Sequence, residues 1–193
     1  NVYPAIAPAR DGGVWLGGHQ GVIERLAPDG RIERLDESID DRLRGKKINS
    51  IVEDQAKHLW AGAGKGLVRI GMDTVDEWLP DDAHDPVPDG SIEHLRVAAD
   101  GSVWLLANGG GVQRRDADSG RVLLDLRAGD DSGLGLADAE QFDFAPDGTP
   151  WIADATGMRR FDARARRFRA EPSLAGERVY ACAFDGNDQL WLP

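Results

Sequence analysis

The chain has 193 residues, 41% of them hydrophobic and 30% charged, the balance of a folded globular sequence and not of a disordered one. Its net charge of −11 argues against a phosphate-binding or lipid-headgroup-binding surface, so neither nucleic acid nor direct membrane contact is expected. No apolar run approaches the roughly 20 residues of a membrane span, and the single cysteine, Cys182, excludes an internal disulfide and reads as a small buried hydrophobe.

The first predicted element is the β-prone run from Tyr3 to Asp11. An Asp11-Gly12 turn leads to a strand holding Trp15, then a corner at Gly21, an alternating run from Val22 to Leu26, a Pro28-Asp29-Gly30 turn and a last run from Arg31 to Leu35. The same order recurs down the chain. Second-copy strands are expected over Ile48 to Asp54, around Trp60, over Leu67 to Ile70 and over Val75 to Leu79. The third copy has Ile92 to Asp100, Trp104, Val112 to Arg115 and Arg121 to Leu126. The fourth has Phe142 to Asp147, Trp151, Met158 to Phe161 and Arg167 to Ala170. A fifth begins at Val179 to Asp185 and ends with Trp191.

Five tryptophans, Trp15, Trp60, Trp104, Trp151 and Trp191, therefore mark one register at spacings of 45, 44, 47 and 40 residues. Asp-Gly between alternating runs is a hairpin signal, because glycine accepts positive φ and aspartate bonds its own backbone. Four short strands per repeat, without helical periodicity, predict an all-β fold of β-propeller blades, each a four-stranded antiparallel meander. A lone four-stranded sheet cannot bury both faces; radial stacking buries them, with the tryptophans as inter-blade filler. Trp78, on an outer strand, is expected to be partly exposed. The whole chain, 1–193, reads as a single partial propeller domain of about four and a half blades. Both ends contribute the same first two strands, so the chain is expected to be part of a larger propeller or to close through another copy of itself.

The pattern Ile48, Ile51, Asp54, Leu59-Trp60, Gly62, Gly66-Leu67 and Arg69 resembles the two-component regulator propeller repeat. A second copy is Asp11-Gly12-Gly13-Val14-Trp15-Leu16-Gly17 with Gly21-Val22 and Arg25, while Leu106 and Asp154 depart from the family's corner. The resemblance implies a bacterial signal-transduction protein whose propeller is a periplasmic sensor, joined elsewhere to a histidine kinase or diguanylate cyclase; no such output motif occurs in these residues. The segment Asp147-Gly148-Thr149-Pro150-Trp151 with Gly157-Met158-Arg159-Arg160-Phe161-Asp162 is also similar to streptogramin-lyase-like propellers. An enzyme of lyase or lactonase type is thus one alternative, and a protein-interaction scaffold another.

In a meander blade, the connections into each first strand share one face with the corners after each tryptophan strand. The former are long and unlike one another: Asp36 to Lys47, Pro80 to Ser91, Ala128 to Asp138 and Glu171 to Arg178. Long irregular loops on a rigid scaffold are where binding residues concentrate. Candidate contacts for a small molecule, carbohydrate or protein partner are His19, Gln20, Lys47, Lys65, Asn108, Asp154 and Thr156. No pair among His19, His58, His84 and His94 has metal-ligand spacing, and no calcium-loop pattern, nucleophile elbow or phosphate-cradling loop occurs. Neither a catalytic residue, a metal nor a cofactor is expected.

Overall fold

The computed structural model describes residues 2–35, 42–109, 111–129, 131–134, 139–176, 178–185 and 189–192. Half of the first long connection, part of the third and one residue of the fourth lie outside them.

Four antiparallel sheets each hold four consecutive strands, and a fifth holds two. In the first are β1 (Ala5–Pro8), β2 (Val14–Gly17), β3 (Ile23–Leu26) and β4 (Ile32–Arg34). The second holds β5 (Ile48–Glu53), β6 (Leu59–Ala63), β7 (Leu67–Ile70) and β8 (Val75–Trp78). In the third come β9 (Ile92–Val97), β10 (Val103–Ala107), β11 (Gly111–Arg115) and β12 (Val122–Arg127). The fourth is β13 (Ala139–Phe144), β14 (Pro150–Asp154), β15 (Gly157–Asp162) and β16 (Arg167–Ala170); β17 (Ala183–Phe184) and β18 (Leu190–Trp191) form the half-sheet. Strand β13 begins three residues before the predicted run and β17 is shorter than expected; the other boundaries agree closely with the repeat.

The sheets stack through their first strands, β1 on β5, β5 on β9, β9 on β13 and β13 on β17. Each sheet has two unlike faces. Trp60 and Val52 point toward the third sheet and pack with Ile92, Leu95, Val103 and Leu105. Ile51, Ala61, Val68 and Ile70 point back and pack with Ala5, Ala7 and Ile23 of the first. The same polarity puts Trp104 against Phe142 and Ile152, and Trp151 against Phe184 at 5.8 Å. Two-residue periodicity thus sends the tryptophan to one neighbour and a pair of aliphatic or aromatic residues to the other.

An arginine directly across the ladder lies over the indole in four sheets: Arg25 on Trp15, Arg69 on Trp60, Arg114 on Trp104 and Arg160 on Trp151, at 5.5 to 6.0 Å. The turn aspartate completes the unit. Asp54 accepts hydrogen bonds from the backbone N–H of Ala56 and His58, at 2.9 and 2.8 Å, and from the Trp60 indole N–H at 2.8 Å. Asp185 accepts from the Trp191 indole at 3.0 Å. Asp11 and Asp100 instead pair with the arginine above the ring, Arg25 and Arg114. The hairpin residue read from sequence is therefore also what aims the indole, directly or through its cation.

Two expectations are refined. Trp60 and Trp104 are buried, but Trp191, on the outer face of the half-sheet, is 62% exposed. Trp78 is half-buried, stacked 5.6 Å from Trp60 with Arg115 5.1 Å from its ring. Cys182 is buried beside Ala153, Met158 and Val179, where loss of water and nearby Asp143 push its thiol up to about 12.

Candidate functional site

Hairpin turns lie on one face of the stack, and the long connections with the corners after each tryptophan strand lie on the other. The corners of the first and fourth sheets are each roofed by the connection that leaves that sheet. Gly45 N–H donates to the Gln20 carbonyl at 3.4 Å, and Ile48 N–H to the Gly18 carbonyl at 3.1 Å. Gly21 must be glycine here: its φ is +81° and a Cβ would lie 2.1 Å from the Leu43 carbonyl oxygen. At the fourth sheet Gly176 N–H donates to Thr156 O at 2.8 Å and Val179 N–H to Asp154 O at 3.2 Å.

The seven predicted residues all fall on this face, distributed over separate corners. His19 and Gln20 are exposed and line a recess of about 220 Å³ with Val2, Tyr3 and Val22. Lys65 is exposed in a recess of about 300 Å³ with Leu79, Pro80, Asp81 and Asp89. Lys47 is exposed, and its carbonyl accepts from Gly64 N–H at 3.3 Å. Asn108 is exposed at its side chain while its backbone N–H donates to Ser91 O at 2.7 Å.

Asp154 and Thr156 are turned to structural use. Asp154 is 4% exposed and accepts from the Thr156 N–H at 2.7 Å, from its hydroxyl at 2.6 Å, and from Arg159 Nε. Arg159 in turn donates to the Gly133 carbonyl at 3.0 Å, clamping the preceding connection. Burial raises the Asp154 carboxyl, but the Thr156 hydroxyl, Arg159 and the Thr156 amide outweigh it and hold the group below the ordinary carboxylate value.

A feature that repeat reading passed over lies nearer the axis. The first strands of sheets two, three and four each carry a bulge next to their first residue. The extra residues are Asn49, Glu93 and Glu140, brought to equivalent positions where the inner strands open onto the loop face. Asn49 Nδ2 donates to Ser91 Oγ at 2.7 Å and to Glu93 Oε1 at 3.4 Å. Arg178 Nη2 donates to Glu140 Oε1 at 2.6 Å, and the guanidinium lies 4.8 Å from the centre of the Tyr180 ring. His94 Nε2 lies 3.0 Å from the Glu140 carbonyl oxygen; as a carbonyl only accepts, Nε2 carries the ring hydrogen and donates it. Burial is the main force lowering the His94 pKa, and Arg96 adds to it. The result is a row of amide, hydroxyl, carboxylate, guanidinium and phenol running across three sheets to the segment that precedes the half-sheet. Bulges re-aim side chains at such rims. The signal was present: one polar or aromatic residue follows the first apolar residue in Ile48-Asn49, Ile92-Glu93, Ala139-Glu140 and Val179-Tyr180.

Recess volume does not choose between the two faces. On the turn side, about 280 Å³ opens beside Gln55, Asp100, Arg114 and Asp118, and about 440 Å³ beside Pro146 and Phe184. The turn side repeats one structural set, the aspartate and arginine that hold each indole, whereas the bulged residues of the loop side share a position without serving the tryptophans.

Comparison with solved structures settles the architecture. The stack superposes on the extracellular domain of a hybrid two-component system from B. thetaiotaomicron with a TM-score of 0.71 at 18% identity, covering 97% of this chain and 25% of that one. It superposes on a streptogramin B lyase with a TM-score of 0.68 at 15% identity, covering 98% of this chain and 61% of the lyase. The fold is that of propeller blades. No family model and no curated protein matches the chain. It thus spans a quarter of the length of the first propeller and under two thirds of the second. Among the described residues, no helix is long and apolar enough to cross a membrane, and no group of three His, Cys, Asp or Glu is placed to hold a metal ion.

Proposed function

We propose that these blades are a non-catalytic sensing module of a bacterial signal-transduction protein, acting outside the cytoplasm, with its contact surface at the inner rim of the loop face. The observation that carries the reading is the repeated bulge, which sets Asn49, Glu93 and Glu140 in equivalent places beside Ser91, Arg178 and Tyr180. A row of hydrogen-bonding groups with one exposed ring suits a polyhydroxylated ligand, which offers donors and acceptors along its length and a ring face for stacking. Likeness to a two-component extracellular domain, together with the regulator-repeat pattern around Trp60, supports the signalling role. His19, Gln20, Lys65 and Asn108 would form an outer contact zone, reached by larger ligands or a protein partner.

The test is titration of isotope-labelled protein with neutral and amino oligosaccharides and with short peptides, followed by amide chemical shifts. Shifts should centre on residues 49, 91–94, 140 and 178–180. The double variant Glu93→Ala/Glu140→Ala should weaken binding at least tenfold while the melting temperature stays close to that of the parent. Shifts centred on the turn face, or a double variant that binds as well as the parent, would overturn the assignment. Likeness to the streptogramin B lyase is the observation favouring the enzymatic alternative; cleavage of a streptogramin B by the purified chain would replace the sensing reading.

A further inference from the structure

The chain answers its three bulged rim residues unequally. Asn49 Nδ2 donates to Ser91 Oγ at 2.7 Å, and Glu140 Oε1 accepts from Arg178 Nη2 at 2.6 Å. In both cases the answering residue stands just before the first apolar residue of the next repeat, Ile92 or Val179. For Glu93 the residue in that place of the sequence is Asp138, an acid that brings no cation. Every lysine, arginine and histidine of the chain falls among the described residues, and none of them forms an ion pair with Glu93. Among the described residues its carboxylate has one hydrogen-bond donor, Asn49 Nδ2, at 3.4 Å from Oε1, the far limit of such a bond. Glu93 is half-buried, so water compensates its charge only in part. Asn49 adds a second unmet acceptor: with Nδ2 turned to Ser91 and Glu93, its buried Oδ1 meets no donor among the described residues.

Asn49, Ser91 and Glu93 thus form a spot with acceptors in surplus and no cation. The equivalent place one sheet further on shows what fits such a spot. There the Arg178 guanidinium meets the Glu140 carboxylate and lies 4.8 Å from the centre of the Tyr180 ring. Resting on the sensing reading above, we propose that Glu93 is the specificity residue of the rim: it receives a primary ammonium group of the ligand, and so selects an amino saccharide over its neutral or acetylated counterpart. An ammonium carries three donors and no acceptor, so it meets Glu93 and the Ser91 hydroxyl oxygen together while cancelling the carboxylate charge. A sugar hydroxyl offers one donor and leaves that charge uncompensated. The chain's net charge of −11 draws cations to the whole surface, but that attraction does not depend on any one carboxylate, whereas selection at Glu93 does.

The experiment titrates the 193-residue chain with three oligosaccharides of equal length, a chitosan tetramer, a chitin tetramer and cellotetraose, which differ in carrying an amine, an acetamide or a hydroxyl. It is read by calorimetry and amide shifts at about pH 6, where the sugar amine holds its proton. The amine form should bind about tenfold tighter than the other two, with shifts at residues 49, 91 and 93. Glu93→Gln should bring the three within about threefold of one another. Asp73→Asn, which removes an equal charge from an exposed residue of the turn face, should keep the parent's preference. Circular dichroism checks that both variants fold; should Glu93→Gln not fold, Glu93→Asp takes its place, its shorter reach lowering the preference. Equal binding of all three at the rim overturns the ammonium assignment and leaves the sensing reading standing. A preference that survives Glu93→Gln, or that Asp73→Asn lowers as much, belongs to overall charge and also overturns it. So do shifts at residues 91 and 93 from calcium chloride alone, which would mark a metal site. If no saccharide binds but a tri-lysine peptide shifts residues 49, 91 and 93, the ammonium contact stands and the polyhydroxylated ligand falls; if neither binds, both fall.

Discussion

Replacing Asp54 by alanine isolates the contribution of the turn aspartate. Asp54 is fully buried and receives N–H groups from Ala56, His58 and the Trp60 indole, with His58 Nδ1 3.0 Å from its second oxygen. Truncation leaves these groups without an acceptor. Ala56 is exposed and can turn to water, but the Trp60 ring is completely enclosed and His58 half so. A buried donor left unmet costs about 1–3 kcal/mol, so two enclosed donors place Asp54→Ala at about 2–6 kcal/mol. The indole would also lose the anchor that holds it under Arg69. Asp185→Ala removes the same carboxylate at the same repeat position, yet Trp191 is 62% exposed. Water replaces the lost acceptor there, and the cost should stay below about 1 kcal/mol. Urea unfolding followed by circular dichroism measures both. Equal losses for the two variants, or less than about 1 kcal/mol for Asp54→Ala, would refute the claim that burial of the indole donor sets the energy.

Three further outcomes are expected. Cys182, with its thiol pushed from 9.0 to about 12, should react with a thiol-specific disulfide at pH 8 about 1,000-fold more slowly in the native chain than in urea; near-equal rates would show that the half-sheet opens freely. The His94 pKa is lowered in the fold, so the unfolded chain takes up a proton first as pH falls. Stability should be intact above the ordinary value of 6.5 and decline below it, by at most about 1.4 kcal/mol per pH unit, until the folded ring also protonates. His94→Gln should remove that component of the slope in denaturation curves taken between pH 7 and 5. Arg115, fully buried and brought down to about 10 chiefly by loss of water, donates to Gln113 Oε1 and to the carbonyls of Asp85, Pro86 and Gly120. A lysine cannot reproduce that fork, so Arg115→Lys should lose about 2–4 kcal/mol, nearly as much as Arg115→Met, and residues 80–91 should exchange amide hydrogens faster.

Most of the architecture was legible because a single register repeats. The tryptophan spacing, the Asp-Gly turns and the corner glycines each constrain local backbone, and five copies restate the constraint. The loop face was legible for the same reason, since strand alternation decides which connections share a side. What escaped was the use of individual polar residues. Asp154 and Thr156 read as free loop groups, but a carboxylate two residues before a threonine accepts from that residue's N–H and hydroxyl, and Arg159 arrives from across the hairpin. Bulges escaped because a single inserted residue shifts only the local register, leaving the tryptophan spacing within its ordinary scatter. Arg115 escaped because its partners are carbonyls of a distant loop, which no sequence pattern marks.

The distribution of labour in a blade explains why the recognition surface proposed above lies at the rim and not on a sheet face. Both faces of every inner sheet are committed to neighbours: one to the tryptophan with its arginine and aspartate, the other to the aliphatic pair that receives the next tryptophan. Changing a side chain there disturbs two sheets at once, as Gly62 illustrates, where a Cβ would lie 2.4 Å from Ser50 Oγ and 2.6 Å from Ile92 Cγ2. Strand ends face no such demand. A bulge uncouples one residue from the alternation, so Asn49, Glu93 and Glu140 can differ from blade to blade without moving the tryptophans on which the stack depends. The face positions stay apolar from sheet to sheet, as Ile51–Ala61, Leu95–Leu105 and Phe142–Ile152 show, whereas the proposed rim carries Asn49, Glu93, Glu140 and Tyr180.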